Sequence, residues 1–332
     1  MTALAFSGLS AYANKKEEFL PKELFQEEEK QTESWTQGSA KFFWIRDNAE
    51  EKRMPNQLFT GADQKIINQL SPEGGALASI SCFLVQINGK NILFDTGNGK
   101  ADSRLLPNLA SLHIKPEDIH YLFITHFHGD HIGGMLSGDK VVFSQAEVYV
   151  PQKEYDAWTQ MPADKNGQVV KTMKAYEKKL HKFSEGDTLP EGIIAKNAYG
   201  HTPGHTIYQL NETLIVGDLL HGAQIQLPHP EICASFDMDK TLAIQCRKQY
   251  LQYVKDKHLM MAGMHLPAPG FMSWKKFDIF FSKLFAYYQI IRTFAARITK
   301  IKRNENIYSK YILVVAPQTT QAVVRDEGLH VF

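Results

Sequence analysis

Short apolar runs divided by turn residues set the rhythm of this chain. Phe42-Phe43-Trp44-Ile45 predicts the first strand, with the polar stretch Arg46 to Arg53 as a turn after it. Ile80 to Ile87 and Asn91 to Phe94 predict a hairpin, because Asn88-Gly89 between them tolerates the left-handed backbone of a tight turn. Tyr121 to Ile124 predicts a short buried strand; Val141 to Phe143 and Val148 to Val150 predict two more. A later set comprises Ile193 to Ala195, Ile207 to Leu210, Thr213 to Val216 and the run Leu259 to Met261. Helical spacing covers Arg104 to Leu112, Lys153 to Met161 and Val169 to Leu180. Strands dominate with helices interleaved, and no internal repeat or low-complexity block interrupts them.

The two ends depart from this rhythm. Phe277, Phe281, Leu284, Tyr288, Ile291, Ala295 and Ile298 recur at alternating spacings of four and three, which predicts an amphipathic helix. Between Phe271 and Arg303 eight Lys or Arg stand against the single acidic Asp278. Such a face suits a membrane surface, a partner, or packing and dimerisation through 271–303. It holds no charge-free run of the ~18 residues that a membrane span requires. Tyr311 to Ala316 predicts one last strand. At the other end, residues 1–13 carry Ala3-Leu4-Ala5-Phe6 and Ala11-Tyr12-Ala13 with no basic residue before them, a weak export signal at most. Cytoplasmic and periplasmic or secreted locations both stay open. Lys15 to Glu33 reads as a solvated helix or extended arm. The expected organisation is an N-terminal extension over 1–41, a main domain over 42–270 and a basic segment over 271–332.

Composition narrows the class without choosing within it. The 332 residues are 43% hydrophobic and 22% charged, with a formal net charge of +1, so no global field draws the chain to nucleic acid or membrane. Cys82, Cys233 and Cys246 form no CxxC pair, which argues against both a disulfide framework and a thiolate metal site.

The chemistry concentrates in Thr125-His126-Phe127-His128-Gly129-Asp130-His131, three imidazoles and a carboxylate at the end of a predicted strand. His126 and His128, two residues apart in extended backbone, leave the chain on the same side and can grip one ion. Gly129 and Gly133-Gly134 permit the tight turn that a ligand loop needs. Imidazole nitrogen with carboxylate oxygen suits zinc first, with iron, manganese or cobalt as alternatives. Further donors lie downstream. Two Gly-His pairs, at His201 and His205, flank Thr202-Pro203, and one of them is expected to ligate. Asp218 ends a strand, where a carboxylate can bridge two ions, and His265 follows the run Leu259 to Met261. No Gly-x-Ser-x-Gly elbow and no nucleotide-binding loop is present, so serine hydrolysis, phosphotransfer and hydride transfer have no support.

Together with Asp95-Thr96-Gly97, these motifs resemble the metallo-β-lactamase-fold hydrolases, spanning Asp95 to Gly270. The Gly-His-Thr-Pro-Gly-His-Thr run and the His-Leu-Pro-x-Pro-Gly ending are most similar to the methyl parathion hydrolase and acyl-homoserine lactonase branch. The resemblance implies an α/β fold, a four-layer αββα sandwich. It also implies one ion on His126, His128 and His201, a second on Asp130, His131 and His265, and Asp218 between them, with two Zn2+ as the expected cofactors. His205 would then support its loop, and Asp95 would accept a hydrogen bond from a ligand imidazole. The implied activity is a metal-bound hydroxide opening a lactone or carboxyl ester, with Asp130, Asp218 and His221 as the catalytic set. His221 stands where the lactonases resemble a tyrosine site that assists the substrate carbonyl. Asp218 replaces the zinc-bound cysteine of one β-lactamase subclass, and His128 replaces the glutamate of the diiron branch. Aryl phosphotriester hydrolysis, a glyoxalase II type thioesterase and a non-catalytic metal-binding scaffold recruited by the basic tail are the alternatives. The expected partner is a small ester or lactone, not nucleic acid, since no basic groove is evident before Phe271.

Overall fold

In a computed structural model that describes residues 31–275 and the strands at 322–325 and 328–331, the first sheet runs in chain order. Its strands are β1 (Thr32–Gln37), β2 (Ala40–Arg46), β3 (Ser81–Ile87), β4 (Lys90–Phe94), β5 (Tyr121–Phe123), β6 (Glu147–Pro151) and β7 (Leu180–Phe183). The first four pair antiparallel, and β4 to β7 pair parallel. The second sheet is β8 (Ile194–Asn197), β9 (Thr206–Leu210), β10 (Thr213–Ile215), β11 (Met260–Ala262) and β12 (Phe271–Ser273). Only β10 and β11 pair parallel in it. Among the described residues the α-helices are α1 (Gln64–Leu70), α2 (Leu105–Ser111), α3 (Gly129–Ile132), α4 (Gln152–Thr159), α5 (Ala163–Ala175), α6 (Ala223–Gln226) and α7 (Lys240–Asp256).

Period-two alternation assigns each strand's side chains to one of two cores. From β2, Phe42 and Trp44 enter the layer between the sheets, beside Phe83, Val85, Phe94 and Phe123, and meet Tyr208, Ile215 and Ala262 of the second sheet. Phe43 and Ile45 point the other way, with Leu84, Leu93 and Leu122, onto Leu109 of α2, Trp158 of α4 and Met173 of α5. Full burial of one such side chain is worth about 1.5–3 kcal/mol. Across the second sheet lies α7, whose Tyr250 donates to Asn197 O and Tyr253 to the Gln209 side chain at 2.8 Å each. Helices therefore cover both outer faces, giving the expected αββα sandwich.

Several details differ from the sequence expectations. The β3–β4 hairpin turns at Asn88 and Gly89, both at positive φ, as expected. The main sheets, however, reach past both ends of 42–270: β1 lies before it, taking in Glu33 at the end of the expected polar arm, and β12 lies after it. Thr32–Gln37 alternates polar residues around Trp35, an edge-strand pattern with little apolar signal. Lys52–Pro55, inside and beyond the expected turn, pairs antiparallel with Gly75–Ala78. The strand expected over Val141 to Phe143 shrinks to a two-residue pair, Lys140–Val141 with Leu136–Ser137. The helix expected over Val169 to Leu180 is shifted: α5 begins at Ala163 and ends at Ala175, and Leu180 opens β7. The amphipathic helix, the strand at Tyr311 to Ala316 and residues 1–13 lie outside the described residues. Ala322–Arg325 and Gly328–Val331 form an antiparallel hairpin in a separate unit of the chain.

Candidate metal centre

The C-terminal ends of β4, β5, β8, β10 and β11 deliver, in turn, Asp95, the 125–131 loop, the loop to His201, Asp218 and His265. All seven donor residues singled out from the sequence meet there. His126 Nε2, His128 Nδ1 and His201 Nε2 form a triangle with edges of 3.1, 3.2 and 2.9 Å. Ligands at about 2.0–2.1 Å around a tetrahedral ion lie roughly 3.3 Å apart, so this triangle has the size of one face of such a site. Asp130, His131 and His265 form the second group, with Asp130 oxygens 3.8 and 3.6 Å from the two imidazoles.

Asp218 stands between them. Its Oδ2 lies 3.2 Å from His201 Nε2 and 3.1 Å from His265 Nε2, and its Oδ1 faces His131 Nε2 at 3.1 Å. That last pair lacks the alignment of a hydrogen bond, and neither atom has another hydrogen-bond partner among the described residues. Buried polar atoms that converge without forming a hydrogen bond are what a cation would satisfy. The donor set, with no thiolate, fits a divalent metal.

Charge points the same way. Burial favours a neutral Asp218, but His131, His265, His126 and His201 outweigh it and hold the carboxyl well below its ordinary value. His131 is opposed by burial yet raised well above its usual range by Asp218, Asp95 and Asp130. His201, also opposed by burial, is held up at about 9 by Asp218 and Asp237. With protein groups alone, the carboxylates draw protons onto imidazoles, a positive charge that divalent ions would supply instead.

Four of the five ligand rings are held at their other nitrogen. Asp95 Oδ2 accepts from His131 Nδ1 at 2.7 Å and from Thr125 Oγ1 at 2.7 Å, as expected for a residue that fixes a tautomer. Thr125 Oγ1 then accepts from His126 Nδ1 at 3.0 Å, so Asp95 governs two rings. Asp237 Oδ1 takes His201 Nδ1 at 2.8 Å and is itself paired with the buried Arg247 at 3.3 Å. Ser79 O takes His265 Nδ1 at 2.7 Å. Asp237 and Ser79 carry no motif that would single them out in the sequence, and Thr125, though it opens the ligand stretch, has no role assigned by it. His205 uses both nitrogens away from the donors, Nδ1 on Ala198 O at 2.9 Å and Nε2 accepting from Asp218 N at 3.1 Å. It supports the loop, the role expected of it.

His221 is fully buried, its Nε2 3.1 Å from Asp218 Oδ2 and its ring stacked on His265 at 5.3 Å. Burial, only partly offset by Asp218, lowers it to about 4, so it is a neutral ring. Backbone crowding in the ligand loop falls on Gly133 and Gly134, where a Cβ would lie 2.2 Å from Asn98 O and 2.1 Å from Thr96 O, whereas at Gly129 the nearest atom is 3.3 Å away.

A family model described as the metallo-beta-lactamase superfamily matches residues 76–265. Among solved structures, the hydrolase AbOPH, placed in the beta lactamase superfamily, is 26% identical with a TM-score of 0.67, covering 73% of this chain and 92% of its own. AidC, described as a dizinc quorum-quenching lactonase bound to a product, is 22% identical at a TM-score of 0.67, covering 91% and 96%; it is a likeness of fold. Among curated proteins, cleavage and polyadenylation specificity factor subunit 3-I of Arabidopsis thaliana is 36% identical over 84 residues. That match takes in 25% of this chain and spans 12% of the relative's length.

Proposed function

Since the chain belongs to the metallo-β-lactamase superfamily, with the fold and donor set of a metal-dependent hydrolase, we propose that it opens lactones or cleaves carboxyl esters at a dinuclear zinc centre. The observation that carries this reading is Asp218: one carboxylate oriented toward both donor groups, Oδ2 toward His201 and Oδ1 toward His131. Two divalent ions held there would supply a water already ionised near neutral pH and a Lewis acid for the substrate's carbonyl oxygen.

The chain's own residues prepare that chemistry. Asp95, Asp237, Thr125 and the Ser79 carbonyl hold the Nδ1 protons of four imidazoles, leaving each Nε2 turned inward. Asp130, about one third exposed, is the most open of the carboxylates and marks the side from which a substrate enters. His221 holds the Asp218 carboxylate in place, and in this reading it acts through Asp218 instead of on the substrate carbonyl. Lactone or ester is preferred because attack on a carbonyl requires nothing beyond such a site, and a lactonase is among the structures with this fold.

The test is proton release by zinc-loaded protein given acyl-homoserine lactones, simple γ-lactones and aryl phosphotriesters, beside an Asp218→Ala control. Acid from a lactone, abolished in the control, is the expected result. Turnover of phosphotriesters alone moves the assignment to phosphotriester hydrolysis. Silence on every substrate from protein holding two ions per chain overturns it.

A further inference from the structure

One buried carboxylate has no part in the donor groups and yet touches the loops that carry them. Glu154 lies in the first turn of α4 with no exposed surface. Its Oε1 accepts from Phe127 N at 3.0 Å and Trp158 Nε1 at 2.6 Å. Its Oε2 accepts from Thr202 Oγ1 at 2.9 Å and Gly204 N at 2.7 Å. Phe127 lies between His126 and His128, on the loop after β5 of the first sheet. Thr202 follows His201, on the loop before β9 of the second sheet. A single side chain therefore ties together the two segments that bring these three imidazoles to within 3.2 Å of one another.

The contacts call for a carboxylate. Two backbone N–H groups and an indole N–H can only donate, and with the Thr202 hydroxyl four donors converge on a group with two acceptor oxygens. Burial pushes the carboxyl up from its ordinary value, and all four hydrogen bonds oppose that shift. The position near a helix N-terminus also favours negative charge. Packing leaves little room for adjustment: a Cβ on Gly204 would lie 2.2 Å from Glu154 N. Trp158, held by the same carboxylate, sets its ring edge-on to His128 at 5.7 Å.

We propose that Glu154 is the positioning residue for the His126, His128 and His201 ion site, acting through the backbone of both ligand loops, and that the Asp130, His131 and His265 site does not depend on it. The proposal rests on the dinuclear reading above. Glu154→Gln keeps the shape but leaves one oxygen in place of two, so the amide nitrogen must face either Phe127 N–H or Gly204 N–H.

The experiment compares full-length wild type, Glu154→Gln and Thr202→Val, which removes one of the four donors. Zn2+ is titrated against a chelator, and hydrogen exchange is followed on protein stripped of metal. Expected in Glu154→Gln is one ion bound about tenfold or more weakly, by analogy with other ligand-orienting hydrogen bonds, and the other at wild-type affinity. Exchange should quicken at 126–128 and 202–205 and stay unchanged in β3, β4 and β10. Thr202→Val should weaken the same ion by less. Two ions at wild-type affinity, or both weakened together with faster exchange throughout the sheets, overturns the proposal. Wild type that takes up fewer than two ions defeats the dinuclear reading instead, and exchange confined to the two loops still decides whether Glu154 clamps them.

Discussion

Replacing Asp95 with asparagine should invert the tautomers of two ligand histidines while leaving the fold in place. Asp95 is fully buried at φ 60, the left-handed region that asparagine tolerates well, so the backbone itself should not resist the change. Its Oδ1 accepts from Thr125 N at 2.8 Å, and its Oδ2 accepts from both Thr125 Oγ1 and His131 Nδ1. An amide nitrogen in the Oδ2 position donates where a carboxylate accepted. His131 must then carry its proton on Nε2, the atom facing Asp218 Oδ1, and the reversed Thr125 hydroxyl pushes the same change onto His126. Turning the amide over only moves the conflict to Thr125 N–H. Ligand-orienting hydrogen bonds of this kind are worth about 10- to 100-fold in metal affinity, or about 1.4–2.7 kcal/mol. Chelator competition should show that loss, larger for the ion on His131, with a far-UV spectrum like wild type. Wild-type affinity in Asp95→Asn, with His131 still protonated at Nδ1 by ring-nitrogen NMR, refutes the reasoning.

Two further outcomes follow from backbone geometry and from charge. Gly200→Ala combines φ 122 with a Cβ 2.1 Å from Ala243 N, so it should lower unfolding free energy by more than about 2 kcal/mol and loosen metal at His201; a thermal midpoint within 2 °C of wild type, as an approximate bound on a negligible change, contradicts it. The His201 ring is opposed by burial but held up at about 9 by Asp218 and Asp237, above its unfolded value of about 6.5. This pairing therefore stabilises the metal-free fold fully below about pH 6.5 and is lost as pH rises through about 9. A metal must displace the same proton, so apparent affinity should rise toward pH 9, by about tenfold per unit for each proton released. Metal-free protein whose stability is flat or rising between pH 7 and 9 counts against the assignment.

What the sequence disclosed and what it withheld separate along a physical line. A divalent ion accepts few donor types, so His126, His128, Asp130, His131, His201, Asp218 and His265 are marked by identity, and each follows an apolar run whose end places it. The hydrogen bond that turns an imidazole carries no such restriction. Here a carboxylate serves His131 and His201, a hydroxyl serves His126 and a backbone carbonyl serves His265, so no residue type announces the role. Asp95 was legible only because it sits in a strand-end motif. Asp237 and Glu154 look like ordinary acids of a loop and a helix start, and their partners on the ligand loops lie 27 to 50 residues away in the chain. The same holds for the sheet edges: β1 and β7 bury little, so their apolar signal is weak, whereas β3 and β4 read as near-continuous buried apolar runs. Patterns that burial or metal chemistry enforces can be read locally. Groups whose task is to hold another group become visible only once the two sheets are packed, and the sensitivity of the site to conservative changes should be greatest at those silent positions.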